Sequence, residues 1–266
     1  MKRIYSIAFC VLMVCSLMLA VAANAGNSAY SILEYVAVDT CVVDGKWTTA
    51  AEWTDGPVST MTGNMSGGFV YNIQDFTNLG LEWLVEALND NTNNTGDYME
   101  ICFDDSNSGG NAPDSGDFML RIEGHTTLKA FIGNGTGWTP ATPAAGEITW
   151  ANTLGTSMYG NQTHWIYEVV DSSKTAGNIQ SPNAPPSGLG VTAFDAATNK
   201  YCSWAPNMNA KVPNGWGLIS TYSMDPIPEG FSLGAIALLT SIAVFAGYAY
   251  LRRRQKPAIV TPKNLT

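Results

Sequence analysis

Positive charge is scarce across most of this sequence. Seven of its 13 lysines and arginines lie in the first few residues or after Leu251. From Gly26 to Gly230 only Lys46, Arg121, Lys129, Lys174, Lys200 and Lys211 remain. These six cations face all 22 aspartates and glutamates, a net charge of −16. A surface this acidic repels phosphate backbones, so nucleic acid is excluded as a partner. Neutral glycans, divalent cations and basic proteins stay compatible with it, and high net charge also keeps a protein soluble.

Histidine is nearly absent. His125 and His164 are the only two, which makes a multi-histidine zinc site or a catalytic triad hard to assemble. The sequence has no G-x-S-x-G elbow, no Walker loop and no H-E-x-x-H, and Gly133–Gly137 reads as a turn. Paired carboxylates could serve a glycosidase, but in so acidic a chain a pair is expected by chance. No enzyme is therefore expected. Cysteine is also sparse. Cys10 and Cys15 fall in the leader, no C-x-x-C occurs, and Cys41, Cys102 and Cys202 remain. Three thiols in an oxidising compartment predict one disulfide and one leftover, with Cys102 as a candidate partner.

The two ends set the compartment. Lys2 and Arg3 precede an apolar stretch, and Ala23-Asn24-Ala25 offers small residues for cleavage before Gly26. Residues 1–25 are thus read as a secretory signal peptide. Phe231 to Leu251 is a 21-residue run without a charge, followed by Arg252, Arg253, Arg254 and Lys256. Such a run is long enough to span a bilayer, and basic residues stay on the cytoplasmic side. The expected order is a domain at 26–220, a Pro226/Pro228 linker at 221–230, a transmembrane helix at 231–251 and a cytoplasmic tail at 252–266, with the domain at the cell surface.

The domain has little helical signal. Thr48–Trp53 could form a turn or two. Elsewhere short apolar runs recur between Gly, Asn, Ser and Pro clusters: Tyr35–Val38, Gly68–Ile73, Leu81–Leu88, His164–Val170, Leu189–Phe194 and Trp216–Ile219. Met99, Ile101 and Phe103 alternate with Glu100, Cys102 and Asp104. Phe118, Leu120 and Ile122 alternate with Met119, Arg121 and Glu123. This is the period of half-buried strands, and many strands without amphipathic helices predict an all-β antiparallel sandwich. Asn89–Gly96, Asp105–Gly116 and Ser172–Gly188 are read as long loops.

Several phrases, in order, resemble family 9 carbohydrate-binding modules. Asp44-Gly45-Lys46-Trp47, with Trp53 after it, resembles the family's opening element. Leu84–Asp90, Tyr98–Asp105, Gly116-Asp117-Phe118, His164–Val169, Ala193-Phe194-Asp195, Trp204-Ala205-Pro206 and Trp216-Gly217 resemble the elements that follow. The resemblance covers nearly all of Val36 to Ile219. It implies a jelly-roll-like β-sandwich related to the DOMON group, glycan binding and structural calcium. At the other end, Pro228-Glu229-Gly230-Phe231 with the apolar run and the arginines resembles archaeal P-E-F or P-G-F sorting signals. That implies an archaeal source and either removal of the helix or a permanent anchor.

Candidate site residues follow. Asp90, Asp104, Asp105 and Asp117 crowd neighbouring loops. Glu168 stands in an apolar strand, where a carboxylate needs a partner or a metal. Hard oxygens suit calcium, although the spacing from Asp104 is not that of an EF-hand, since Ser115 stands at its twelfth position. All eight tryptophans lie in the domain. Trp47, Trp53, Trp83, Trp165 and Trp216 read as core. Trp138, Trp150 and Trp204 lie among Gly, Thr, Pro and Asn, where aromatic faces could stack on sugars. Asn64, Asn93, Asn134 and Asn161 open N-x-S/T sequons. The expectation is a surface-anchored, non-catalytic carbohydrate-binding-like module. A structural surface-layer or adhesion protein is one alternative. A DOMON-type haem carrier, using Met119 or Met158 with His125 or His164, is another.

Overall fold

The computed structural model describes residues 26–34, 41–49, 51–54, 56–73, 80–172 and 186–221. All of them belong to one of the chain's two units, Met1–Tyr222; the other is Ser223–Thr266. The segments expected to be a signal peptide, a strand at 35–38, a transmembrane helix and a cytoplasmic tail lie outside the described residues. Within them no helix is long and apolar enough to cross a membrane.

Among the described residues the regular structure is thirteen strands and one short 3-10 helix (Pro213–Gly215): β1 (Ser31–Glu34), β2 (Val58–Gly63), β3 (Gly67–Ile73), β4 (Leu81–Ala87), β5 (Tyr98–Asp104), β6 (Asp117–Glu123), β7 (Thr127–Gly133), β8 (Trp138–Ala141), β9 (Ile148–Gly155), β10 (His164–Asp171), β11 (Ser187–Asp195), β12 (Lys200–Trp204) and β13 (Gly217–Thr221). One face of the sandwich runs β8-β7-β6-β5-β11-β12, and the other runs β2-β3-β4-β10-β9. Pairing is antiparallel throughout except for β1 with β13. β2 belongs to both faces: Val58–Met61 pair with β3, while Thr62 and Gly63 pair with Ser203 and Cys202 of β12. A Cβ on Gly63 would lie 2.2 Å from the Tyr201 carbonyl oxygen, so only glycine lets the strand cross between sheets there.

The predicted alternation is what builds the core. Met99, Ile101 and Phe103 of β5 and Phe118, Leu120 and Ile122 of β6 point inward. They meet Trp83 and Val85 of β4 and Trp165, Tyr167 and Val169 of β10 from the opposite sheet. A one-residue slip in any of these strands would turn its apolar set to water, so the register is strongly fixed. β4 and β10 are buried along their whole length. Their outer face is covered by the 41–54 segment, where Cys41 and Trp53 pack on Leu84 and Ile166 with Trp47 beside them. In place of the expected helix, the described residues there form bends and turns, with Glu52 N–H bonded to Thr49 O and Thr54 N–H to Ala51 O. At the free edge, β8 tolerates Pro140 because an edge strand has one side that needs no donor.

Two expectations change here. Trp204 was expected to present a free face in a loop. Instead it closes β12 on the same side as buried Cys202, is 6 % exposed, and packs edge-on against Phe69 at 5.3 Å. A Cβ on Gly217 would come within 2.5 Å of its ring. Strand alternation, with Cys202 and Trp204 two residues apart, carries it into the core. The three cysteines are all buried and free. Cys202 lies in the main core, Cys41 under the 41–54 segment, and Cys102 on the outer face of β5. Strands and sheets separate them, so the expected disulfide does not form. Trp204→Ala should therefore cost about 3–5 kcal/mol of stability, as large-to-small aromatic core changes do. Chemical denaturation measures it, and a loss below 1 kcal/mol would return Trp204 to the surface.

Candidate functional site

The outer face of β5, β6, β11 and β12 carries an open cleft of about 530 Å³. Alternation sets its floor: Glu100, Met119, Arg121, Thr192 and Phe194 are the outward partners of the inward core residues. Its rim is the turn after β12, where Met208 N–H bonds to Ala205 O and Asn207 takes a left-handed φ of 58°. Trp138, at the start of β8, forms a wall. Its ring lies parallel to buried Trp216 at 6.3 Å and donates its N–H to Ala210 O at 3.0 Å. The indole is therefore fixed while remaining half-exposed.

Arg121 organises the polar chemistry. Its guanidinium sits 3.8 Å above the Tyr98 ring, which stacks on Phe194 at 5.0 Å. Nη1 donates to Glu100 Oε2 at 3.4 Å; Nε lies 3.2 Å from Glu123 Oε1 at ion-pair distance without hydrogen-bond alignment. Burial pushes the Glu100 carboxyl up to about 7, against the opposing pull of Arg121. Exposed Tyr201 faces Asn207, its hydroxyl 3.5 Å from Oδ1. The cleft thus joins fixed aromatic faces to a planar cation, a carboxyl and amides. Among the described residues Glu100 is the only carboxylate lining it.

The residues singled out in the sequence disperse. Trp138 lines the cleft. Trp150 is half-buried in β9, opposite Val169, packed against the core. The four sequon asparagines, Asn64, Asn93, Asn134 and Asn161, are exposed. Tyr98, Tyr201 and Arg121 went unrecognised as site residues. Arg121 carried one usable signal, since it is the only arginine between Gly26 and Gly230.

Three of the carboxylates expected to hold calcium, Asp104, Asp117 and Glu168, accept backbone donors. Asp104 accepts the Ser108 N–H at 2.9 Å and the Gly109 N–H at 2.6 Å. Asp117 accepts the Asp114 N–H at 2.8 Å. Glu168 accepts the Asp44 and Gly45 N–H groups at 2.7 and 2.6 Å and the Trp53 indole at 3.3 Å. Among the described residues these acids bring no three ligand atoms together with each other or with Asp105. Asp104, Asp105, Asp117 and Glu168 thus do not share one cluster of side-chain ligands among the described residues. The haem alternative rests on Met119 or Met158 with His125 or His164. Met119 faces the cleft and Met158 is exposed, while both histidines are buried with both ring nitrogens engaged. His164 has acceptors on both sides, Gln162 O at 2.8 Å and Glu86 Oε2 at 3.0 Å, an arrangement that favours its cationic form. Burial opposes that charge, but the two acceptors outweigh it and raise its pKa.

No protein-family model and no curated protein matches this sequence. Among solved structures, a family 9 carbohydrate-binding module from Caldicellulosiruptor kristjanssonii in complex with glucose superposes with a TM-score of 0.51 at 15 % identity. The match covers 74 % of this chain and 99 % of that one. The same kind of module in complex with cellotriose gives 0.51 at 14 % identity, covering 74 % and 97 %. At this identity the likeness establishes the fold: the chain has the β-sandwich of those modules.

Four carboxyls in or near these sites are held above their ordinary values of 3.8 (Asp) and 4.5 (Glu), in each case chiefly by burial: Asp90, Glu100 and Glu168 to about 7 and Asp117 to about 8. The folded state then binds more protons than the unfolded chain between those limits. Their contribution is full below the ordinary values and is lost as pH rises through 7 and 8. In chelator, the melting temperature should be higher at pH 5.5 than at pH 8.5. Differential scanning calorimetry that found the opposite slope would contradict these burial shifts.

Proposed function

We propose that this chain is a non-catalytic carbohydrate-binding module displayed at the cell surface, and that the glycan lies in the cleft over β5, β6 and β11. The observation that carries this reading is the pairing of fixed aromatic faces, above all Trp138, with Arg121, Glu100 and Asn207 in one open groove. The apolar C–H faces of a pyranose ring stack on an indole, while its hydroxyls bond to a fork-shaped cation, a carboxyl and an amide. Trp138 is held by its own hydrogen bond and by Trp216, so little ordering entropy is lost when sugar binds. The structural neighbours, solved with glucose and cellotriose, make a neutral glucan the first ligand to try.

On a glycan array, the full chain should bind a neutral oligosaccharide. Trp138→Ala should weaken that binding by roughly five- to 150-fold, taking about 1–3 kcal/mol for one lost stacking face by analogy with aromatic–base stacking. The melting temperature should change little. No binding by the parent would remove this reading, and equal binding by Trp138→Ala would move the site elsewhere.

Surface display rests on the signal box and the charged stop after Leu251. Protease applied to intact cells should remove the 26–220 domain and leave a small C-terminal fragment. A domain wholly protected from protease would place it inside.

A further inference from the structure

At one end of the sandwich three ligand-bearing side chains, none of which lines the cleft, converge without a function in the reading above. Asp90 follows β4, with its N–H bonded to Ala87 O; Asp97 precedes β5; His125 occupies the turn between β6 and β7. One ligand atom from each lies within 4.8 Å of the other two, and among the described residues this is the only such group. The three are 1 %, 1 % and 6 % exposed.

The turn is built to aim the imidazole inward. Gly124 and His125 both take left-handed conformations, with φ of 52° and 61°. Histidine adopts this region seldom, and it persists where its surroundings over-determine it. Here Gly124 N–H bonds to Asp97 O at 2.8 Å, Asn152 Nδ2 donates to His125 O at 2.8 Å, and the Trp165 ring stacks on the imidazole at 3.6 Å. Nε2 lies 2.9 Å from Asp97 Oδ2, and Nδ1 lies 3.1 Å from the Tyr167 hydroxyl. Asp97 is itself fixed by the Asn94 N–H on Oδ2 and the Ala196 N–H on Oδ1.

Asp90 supplies the independent observation. Its Oδ1 accepts from the Thr92 N–H and hydroxyl, but its Oδ2 is buried with no hydrogen-bond partner. A buried carboxylate oxygen left without a donor is costly, and a bound cation removes that cost. We propose that Asp90, Asp97 and His125 form a buried structural site for a divalent cation of the zinc class. An imidazole nitrogen with two carboxylates suits zinc, whereas calcium prefers a shell of oxygens alone. The cation takes the place of the proton between Nε2 and Asp97. The ring proton then stands on Nδ1, where the Tyr167 hydroxyl accepts it, the outer-shell contact that orients a ligating histidine. With all three ligands buried, the cation enters as the chain folds.

This site is independent of glycan binding, so the two readings fail separately. The full chain is produced with Zn²⁺, Co²⁺ or Ca²⁺ in the medium and exchanged into metal-free buffer, and its metal content is measured by elemental mass spectrometry. About one equivalent of zinc is expected. The cobalt form should show a visible absorption band, and the melting temperature should fall in chelator. Asp90→Asn, nearly isosteric, should lose most of the metal, and Tyr167→Phe should weaken affinity about ten- to 100-fold. Below a tenth of an equivalent of zinc in the parent, calcium retained in its place, or undiminished zinc in Asp90→Asn would each overturn the proposal. The parent's metal content and the cobalt spectrum stand even if a variant does not fold.

Discussion

Buried carboxylates that accept backbone N–H groups hold this molecule's loops to its sheets. Among the described residues, Glu52, Asp90, Asp97, Asp104, Asp117, Glu147, Glu168 and Asp195 are all buried, and each accepts at least one N–H from a neighbouring turn or loop. These bonds fix the turns and loops against the strands they flank. They also satisfy loop donors that a sandwich with few helices would otherwise leave unpaired. Glu168 shows the reach of the device. From a central strand it draws in Asp44 and Gly45, more than 120 residues away in sequence, and so seals the outer face of β4 and β10.

That sealing decides which face is left for a ligand. The β4–β10 side is covered by the 41–54 segment, with Trp47 bonded to Glu86 at 2.7 Å and in edge contact with Tyr159. Among the described residues the β5–β6–β11 side has no such cover, and its outward residues form the cleft. The acidity that looked in sequence like a surface property is thus in good part internal, and the one arginine of the domain lies on the open face.

The inner faces of β5 and β6 were legible because Met99–Phe103 and Phe118–Ile122 alternate strictly. β4 was legible as a run of large apolar residues. β7, β9 and β12 were not: Thr127–Gly133, Ile148–Gly155 and Lys200–Trp204 mix polar and small residues, since edge strands and strands near the rim bury only part of each face. Trp204 was misplaced for the same reason. Without β12, a tryptophan before Ala-Pro reads as a loop residue. Asp104, Asp117 and Glu168 were grouped with Asp90 as metal ligands because a carboxylate clamping a loop and one holding a cation look alike in sequence. Only the positions of the N–H groups separate them. Asp97 and His125 meet through a turn with two left-handed residues, which no spacing rule anticipates.

The most direct test of the account is where a glycan sits. A structure of the full chain with a bound neutral oligosaccharide, or chemical-shift mapping with the same ligand, locates it. The account predicts a pyranose ring against Trp138, with its hydroxyls near Arg121 and Asn207 and no change at Trp150. A ligand lodged at the β9 edge or beside the 41–54 segment, with the Arg121 face unperturbed, would contradict it.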